Sequence, residues 1–350
     1  MPRRSTIKDV ALVAGVSYQT VSKVFNHQVR VSSETEQRIW QAVQELDYHP
    51  SQVARSLRAR SSHAIGYSPV PIQTDQISPI LDRFLQSMLS AAEPHGYSLL
   101  SFLHHPHHDE QLAAYQALID SGRVDGFVLS TIEYDDPRIR LLEQNRFPFI
   151  AFGRANPGWD FPCVDVDGGL GIAMAVRHLI GLGHTRIACV AWPSGSRVGN
   201  NRMEGYRSAL AAAGLEPRAE LIIRGEGRVA FGYHATLHLL DLPPDQRPSA
   251  VIAFNDSMAF GAMHAAHERG LHIGTDLAIT GFDDSPASQY FLPPLTSIHQ
   301  PFWEAGQKVI QALLTALQAG HQPEARLTLL APRLMVRESS TGIRASLPTE

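Results

Sequence analysis

From residue 64 onward the chain alternates short apolar runs with longer amphipathic stretches, and this alternation restricts the possible folds more than any other feature. Six apolar runs stand out, at residues 64–67, 126–129, 148–152, 187–190, 250–254 and 277–280. Runs of this length are typical of buried strands, and the stretches between them are long enough for helices. The alternation predicts an α/β body built on parallel sheets flanked by helices.

The body is too long for one sheet, and its rhythm breaks near the middle. Residues 157–162 contain two prolines and a glycine and separate two sets of apolar runs, so we expect two α/β lobes. Ligands of parallel sheets bind beyond the carboxyl ends of the strands. This rule predicts a ligand site in the cleft between the lobes.

Charge is distributed unevenly between the first 62 residues and the body. The 350 residues have a formal net charge of −4, but residues 1–62 contain nine Lys and Arg against five Asp and Glu. The remainder contains 21 basic against 29 acidic residues. A basic head on an acidic body indicates that the head binds an anionic partner such as nucleic acid.

The composition excludes several classes of protein. Hydrophobic residues make up 44% and charged residues 18% of the chain, which is typical of globular rather than disordered or fibrous proteins. The sequence contains no apolar run near the roughly 20 residues of a membrane span, and its basic start lacks the apolar core of a signal peptide. Cys163 and Cys189 are too few for a disulfide framework. We expect a cytoplasmic protein without a cofactor or metal.

The basic head contains the signals of three short helices. Thr6 and Asp9 have the spacing of a capping box, and Gly15 permits the positive φ that ends a helix. Ser17 is placed to cap a second helix over residues 18–25, and a further box at 33–36 predicts the start of a third. Two short helices joined by a three-residue turn make a helix-turn-helix candidate, although a small helical bundle would have the same caps.

The outward residues of the second helix favour DNA binding. In a helix-turn-helix this helix enters the major groove with its N-terminal side chains on base edges. Tyr18 and Gln19 lie at that end; glutamine can engage adenine, and Lys23 can donate to guanine. The groups suited to hold phosphates are those of Thr6, Ser17, Thr20, Ser22 and Asn26.

The same residues resemble a known family. The segments 6–11, 14–17 and 20–24, together with Asn26, are similar to the N-terminal signature of the lactose-repressor (LacI/GalR) family of bacterial transcription regulators. The segment 53–57 resembles the hinge helix of that family. The resemblance implies that the hinge helices of two protomers pair in the minor groove, with Leu57 as an apolar wedge. The other hinge residues expected against DNA are Val53, Ala54 and Arg55, and a solvated linker helix is the alternative.

The resemblance also implies a domain organisation. It comprises a helix-turn-helix domain at 1–49, a hinge helix and linker at 50–62, an effector-binding and dimerisation domain at 63–340, and a short tail at 341–350. The large domain would have a type I periplasmic-binding-protein fold. Its N-lobe would comprise about 63–161 and 295–325, and its C-lobe about 162–292 and 326–340.

Polar residues near the strand ends are candidates for effector binding. By resemblance, the residues that match effector-contacting positions are Arg202, Asn255, Asp283 and Gln300. To these we add Arg154, Trp159 and Phe161, which follow the apolar run 148–152. Carboxylates, amides and guanidinium groups suit sugar hydroxyls, and aromatic rings cover the apolar face of a pyranose. We therefore expect a mono- or disaccharide, with a nucleobase or another metabolite as the alternative.

One departure from the family pattern bears on the sugar. Lactose-type repressors have a ligand-binding Asp where this chain has Gly153 followed by Arg154. The difference argues against a galactoside.

Other classes of function have weaker signals. The histidines at 104–108 could form a metal site, although a His-rich loop is usually solvated. The segment 225–230 imitates a dinucleotide fingerprint but lies in the middle of the body. The cleft carboxylates could hydrolyse a sugar, but a hydrolase with a DNA-binding head is an improbable combination, so we expect no enzyme.

The sequence as a whole predicts a homodimeric transcription regulator, acting as a repressor. Its partners would be a pseudo-palindromic DNA operator and a small effector in the cleft. The tail after Arg337 has no heptad pattern, so we expect no C-terminal tetramerisation coil.

Overall fold

The computed structural model describes residues 5–25, 31–48, 61–70, 79–324 and 326–342. The chain forms two compact units, Met1–Ser62 and His63–Glu350. Among the described residues, no helix is both long and apolar enough to cross a membrane.

The first unit is a small helical domain made of α1 (Ile7–Ala14), α2 (Tyr18–Phe25) and α3 (Ser33–Glu45). The capping box predicted at its start is confirmed, because the Thr6 hydroxyl accepts from the amide of Asp9 and the Asp9 carboxylate accepts from the amide of Thr6. Gly15 ends α1 with a φ of 65°. The helices close over Val10, Val21 and Ile39, which are fully buried.

The start of α3 differs from the prediction. The cap is Ser32, whose hydroxyl accepts from the amide of Thr35 at 3.3 Å, and not the box predicted at 33–36. Ser33 is instead the first residue of the helix. The serine one position earlier has the extended backbone that a cap requires, with a φ of −61° and a ψ of 149°.

In the described part of the second unit, the N-lobe sheet has six parallel strands, in the spatial order β11-β5-β4-β3-β1-β2. These strands are β1 (Ala64–Tyr67), β2 (Ser98–Ser101), β3 (Gly126–Leu129), β4 (Phe149–Phe152), β5 (Cys163–Val166) and β11 (Leu327–Leu330). The helices of this lobe are α4 (Pro79–Ala92), α5 (His108–Asp120), α6 (Pro137–Gln144) and α11 (Phe302–Ala319), with a 3₁₀ turn at Glu93–His95. Phe84 and Met88 of α4 are buried against α11, so these two apolar side chains contribute to lobe packing.

The described C-lobe sheet also has six strands, in the order β12-β10-β9-β8-β6-β7, and only β12 runs antiparallel to its neighbour. These strands are β6 (Ile187–Ala191), β7 (Ile222–Arg224), β8 (Ala250–Ala253), β9 (Ala278–Asp283), β10 (Thr296–His299) and β12 (Arg333–Met335). The helices are α7 (Gly168–Gly181), α8 (Arg197–Ala212), α9 (Val229–Leu240), α10 (Asp256–Glu268) and α12 (Glu338–Thr341), with 3₁₀ turns at Ala219–Leu221 and Pro286–Gln289. Helix α7 packs on α8, and α9 packs on α10.

The predicted α/β fold with two parallel-sheet lobes is confirmed, and each of the six apolar runs overlaps a strand. The lobe boundaries differ from those expected. Strand β5 pairs with β4, and β11 pairs with β5, so both belong to the N-lobe; β10 pairs with β9 in the C-lobe. The Pro-rich segment 157–162 is therefore a loop within the N-lobe. Val164 and Val166 are buried in the N-lobe core, which holds β5 there.

The chain crosses between the lobes at three places in the described residues: between Val166 and Gly168, between His299 and Phe302, and between Leu330 and Arg333. At each crossing the chain leaves the carboxyl end of a strand in one lobe and enters the other lobe directly. The carboxyl ends of both sheets therefore lie next to the crossings. A ligand bound there can change the arrangement of the two lobes, and that arrangement in turn can change the affinity for the ligand.

Candidate functional site

Helix α2 presents the polar face that the sequence predicted for DNA contact. Gln19 and Lys23, four residues apart and thus on one side of the helix, are both exposed. Val21 and Val24 are buried on the other side. Tyr18 differs from the prediction, since it is half-buried and packs on the core of the first unit.

The predicted phosphate ligands have local roles as well. The Ser17 hydroxyl accepts from the amide of Thr20 at 3.0 Å and lies 2.8 Å from the Thr20 hydroxyl. Thr6 donates its hydroxyl to Asp9 at 2.7 Å, and Ser22 is half-buried on α2. The remaining predicted DNA residues lie outside the described residues: Asn26, Val53, Ala54, Arg55 and Leu57.

In the C-lobe, several polar side chains meet at the carboxyl ends of parallel strands. Trp192 follows β6, Asn255 follows β8, Asp283 ends β9 and Gln300 follows β10, while Arg202 comes from α8. We call these five residues the C-lobe site. Four of them were predicted from the sequence as effector residues, and Trp192 was not in that set.

Arg202 is the centre of the C-lobe site. Its side chain is buried, and the guanidinium carbon lies 3.5 Å from the ring centroid of Phe282 and 4.6 Å from that of Trp192. Its Nη1 donates to the carbonyl of Phe254. Burial lowers the pKa of Arg202 to about 10, so the group stays charged at neutral pH.

Asp283 faces Arg202 in a desolvated environment. Burial raises the pKa of Asp283 to about 8, against the opposing effects of the Arg202 guanidinium and of a hydrogen bond from Gln300. That bond, from Nε2 of Gln300 to Oδ1 of Asp283, measures 2.7 Å. The backbone of Asp283 has a φ of 124°, a conformation that costs energy and is enriched at ligand sites. Desolvation therefore favours the neutral form of Asp283, which can donate a hydrogen bond.

The other acidic residues nearby have structural roles. Asp256 accepts from the amide of Ser285 at 2.7 Å and from the hydroxyl of Ser297 at 2.5 Å. Asp284 pairs with Arg337 at 2.5 Å and with His299 at 2.9 Å. Asn255 caps α10, since its Oδ1 accepts from the amide of Met258 at 2.8 Å.

Two nitrogens of the C-lobe site are buried without a hydrogen-bond partner among the described residues. They are Nε of Arg202 and Nε1 of Trp192. Gly227 leaves room for Nε1 of Trp192 and for Nδ2 of Asn255, because a Cβ at this position would lie 2.8 Å from each of the two nitrogens. Because a buried N–H without an acceptor is costly, the site has unused donor capacity for a ligand rich in acceptors.

Arg154, Trp159 and Phe161 do not join the C-lobe site. They line a separate cavity of about 500 Å³ between the N-lobe loop that follows β4 and helix α8 of the C-lobe. We call it the lateral cavity. Phe161 is only 3% exposed and packs in the N-lobe core.

The contacts between the lobes at α8 were missed from the sequence. Glu133 of the N-lobe accepts from the amide of Arg197 at 2.6 Å and from the hydroxyl of Ser196 at 3.3 Å. It thereby supplies an acceptor to the free amides at the start of α8. Arg197 donates to the carbonyl of Ala155 at 3.2 Å. Arg197 itself was a usable signal, because a cation in the first turn opposes the helix dipole and needs a compensating partner.

Comparison with known proteins assigns the chain to a family. Residues 6–51 match the model of bacterial regulatory proteins of the lacI family, and residues 176–340 match a periplasmic binding protein-like domain. The HTH-type transcriptional repressor PurR of Proteus mirabilis is 34% identical over 337 residues, which cover 96% of each chain. The chain belongs to the LacI family.

Solved structures of LacI-family proteins agree with this fold. A regulatory protein of the family from Chloroflexus aggregans is 51% identical, with a TM-score of 0.76, and covers 80% of this chain and 99% of its own. The lac repressor dimer bound to operator and the anti-inducer ONPF is 29% identical, with a TM-score of 0.85 over 97% of this chain and 100% of its own. The predicted family is thus confirmed, and the protein is a DNA-binding transcription regulator whose relatives are repressors.

The weaker signals of other functions have structural explanations. The glycines of the segment 225–230 make room for neighbours, since a Cβ on Gly225 would come within 2.1 Å of the Phe231 ring. Within the described residues, which include the histidines at 104–108, no group of three His, Cys, Asp or Glu side chains could hold a metal ion.

Proposed function

We propose that this LacI-family protein is a homodimeric repressor that reads a pseudo-palindromic operator with α2 and changes its operator affinity when a small planar metabolite occupies the C-lobe site. One observation supports the ligand part above all: Arg202 is buried between two aromatic rings and faces the desolvated Asp283. Burying a cation with an unpaired N–H donor costs free energy, and a ligand that accepts a hydrogen bond from that donor would offset the cost.

The dimer is supported by the relative that is solved as a dimer on its operator. A two-fold symmetric protein places two identical reading helices on two half-sites, so the operator mirrors that symmetry. The hinge residues Val53, Ala54, Arg55 and Leu57 complete the DNA contact in this proposal.

The DNA part is tested at the exposed face of α2. We expect Gln19→Ala to weaken binding to an operator selected from random duplexes by about 1–3 kcal/mol, roughly 5- to 150-fold, because a bidentate contact to a base edge is lost. Fluorescence anisotropy with a labelled duplex measures the affinity. Gln37→Ala, at an exposed position of α3, is the matched control and should change affinity less than about twofold. Equal losses in both variants, or none in either, would contradict a reading role for α2.

The chemistry of the C-lobe site favours a nucleobase-like effector over a sugar. The unused groups are N–H donors next to aromatic rings, and a purine or pyrimidine offers ring nitrogens and carbonyls as acceptors together with a flat face for stacking. The relatives at 34% identity carry the name PurR and not that of a sugar regulator. The sugar effector expected from the sequence has no such support. The alternative, a nucleobase effector, agrees better with these relatives.

A thermal-shift screen of the full chain tests the ligand class. Nucleobases such as hypoxanthine, guanine, adenine and uracil are compared with monosaccharides and disaccharides at equal concentrations. We expect at least one nucleobase to raise the unfolding temperature, because a ligand at 100 times its Kd stabilises the folded state by about 2.7 kcal/mol. A shift with a sugar and none with any base would restore the sugar assignment. Turnover of a bound sugar would contradict the regulator reading itself.

A further inference from the structure

The lateral cavity borders α8, but none of the five residues of the C-lobe site lines it. Asn201 lines the cavity, whereas its neighbour Arg202 lies against Trp192 and Phe282. Helix α8 thus carries side chains of both sites, and Arg202 and Asn201 both approach Gly168. The lateral cavity is therefore a second space, built by both lobes and unused by the proposed effector.

Two arginines line the lateral cavity, and both contact the carboxylate of Asp165. Arg154 donates from Nε to Oδ2 of Asp165 at 2.6 Å, and Nη1 of Arg197 lies 3.6 Å from the same oxygen. The other oxygen of Asp165 accepts from the amide of Val166 at 2.8 Å. Two guanidinium groups thus share one carboxylate.

The arginines are held in place and partly desolvated. The side chains of Arg154 and Arg197 are 23% and 11% exposed. Burial and the nearby Arg154 guanidinium both lower the pKa of Arg197, and Asp165 opposes them. A second oxyanion at this position would relieve the repulsion and form charge-assisted hydrogen bonds.

The remaining walls define the rest of the ligand. The Trp159 ring, which packs edge-on against Phe161 at 5.8 Å, provides a flat apolar surface. The amides of Asn156, Asn200 and Asn201 add polar edges. Asp160 and Glu204 are exposed lining residues, and their carboxylates disfavour a ligand with several negative charges.

We propose that the lateral cavity is a second small-molecule site, which takes a monocarboxylate with its carboxylate on Arg154 and Arg197 and an aromatic or apolar part on Trp159. Because Arg154 and Trp159 belong to the N-lobe and Arg197 to the C-lobe, the bound ligand bridges the lobes. Such a ligand favours the lobe arrangement of this structure and acts on α8, the helix that carries Arg202.

Isothermal titration of the full chain with benzoate, benzamide and inorganic phosphate tests this proposal. Benzoate should bind in the millimolar range, while benzamide, its neutral counterpart, should bind at least tenfold more weakly. Arg154→Gln and Trp159→Ala should each reduce benzoate affinity at least fivefold. Arg207→Gln, at an exposed position of the same helix, should leave it unchanged.

The outcomes separate the alternatives. Equal binding of benzoate and benzamide would overturn the role of the arginines. Phosphate binding as tightly as benzoate, with no effect of Trp159→Ala, would overturn the monocarboxylate class and indicate a general anion site. Asp283→Asn should abolish the response to the C-lobe effector and leave benzoate binding intact; loss of both would show that the two sites are one. Circular dichroism of each variant identifies misfolding, and the Trp159 variant keeps the test decisive if the Arg154 variant fails to fold.

Discussion

Replacing Arg202 by methionine is expected to abolish the effector response and to destabilise the body. Methionine keeps the apolar packing between the rings of Trp192 and Phe282 but removes the charge. The ligand loses at least one charge-assisted hydrogen bond, worth about 1.5–3 kcal/mol, so its Kd should rise roughly 10- to 150-fold. The carbonyl of Phe254 also loses its donor.

The effect of Arg202→Met on stability should depend on pH. In the folded protein the pKa of Asp283 is raised to about 8 from an ordinary value of 3.8, and Arg202 limits that rise. The folded state therefore holds a proton that the unfolded chain has released, and stability falls with increasing pH until the folded pKa is passed. Without Arg202 the folded pKa is higher, so the fall continues further.

We accordingly expect the stability difference between Arg202→Met and the wild type to be nearly constant below pH 8. Above pH 8 it should widen by up to about 1.4 kcal/mol per pH unit. Urea unfolding between pH 6 and 9.5 measures it, and Arg207→Met, an exposed arginine on the same helix, is the control. Wild-type ligand affinity in the Arg202→Met variant would show that Arg202 does not contact the ligand. A stability difference that is the same at all pH values would show that Arg202 does not affect the pKa of Asp283.

Among the substitutions proposed for this protein, Gly205→Ala is expected to cause the largest loss of stability. A Cβ at Gly205 would lie 2.0 Å from the backbone oxygen of Gly169 and 2.6 Å from its carbonyl carbon. Backbone atoms of α7 cannot move aside as a flexible side chain can, so α7 and α8 would have to separate. We expect a loss of at least about 3 kcal/mol, at the upper end for overpacked cores. Because α8 carries Arg202, ligand affinity should fall as well.

Gly181→Ala is the matched control for this substitution. Gly181 is the last residue of α7, and a Cβ there would meet no atom within 4 Å. Alanine at that position should be neutral or stabilise by up to about 1 kcal/mol, because it lowers the entropy of the unfolded chain. The melting temperatures of the Gly205→Ala and Gly181→Ala variants, measured side by side by thermal unfolding, test this expectation. Equal melting temperatures would show that the close contact of α7 and α8 does not limit stability.

The strands predicted from the sequence are those whose apolar runs are continuous. Every residue of β3, β6 and β8 is buried, so both faces of these strands demand apolar side chains. The edge strands β2 and β11 are largely exposed or half-buried over their four residues, too few to establish a period. They could not be distinguished from loops.

The lobe boundary could not be predicted because it depends on which strands pair. Strand β5 is buried throughout, like strands of either lobe, and the sequence contains no signal that it joins β4 across the loop 157–162. The same limitation applies to Arg154 and Trp159. Their position near a strand end suggested the cleft, but the loop that carries them turns to the side of α8.

The C-lobe site was predicted more completely than the contacts between the lobes. Resemblance identified Arg202, Asp283 and Gln300, and the structure brings them together through the 2.7 Å bond of Gln300 to Asp283 and the proximity of Arg202. Glu133 and Arg197 follow no periodic pattern, and their pairing joins residues 64 positions apart in sequence. Only the folded chain shows that α8 begins on a carboxylate of the other lobe.

The most direct test of the account is the operator affinity of the wild-type chain with and without the effector. Anisotropy titrations of a selected operator are performed at several concentrations of the base that gives the largest thermal shift. Because effector and operator are linked through one protein, the base must change operator affinity by the same factor as the operator changes base affinity. We expect a reciprocal change of at least fivefold, which Arg202→Met abolishes. An operator affinity that stays constant while the base saturates the protein would contradict it.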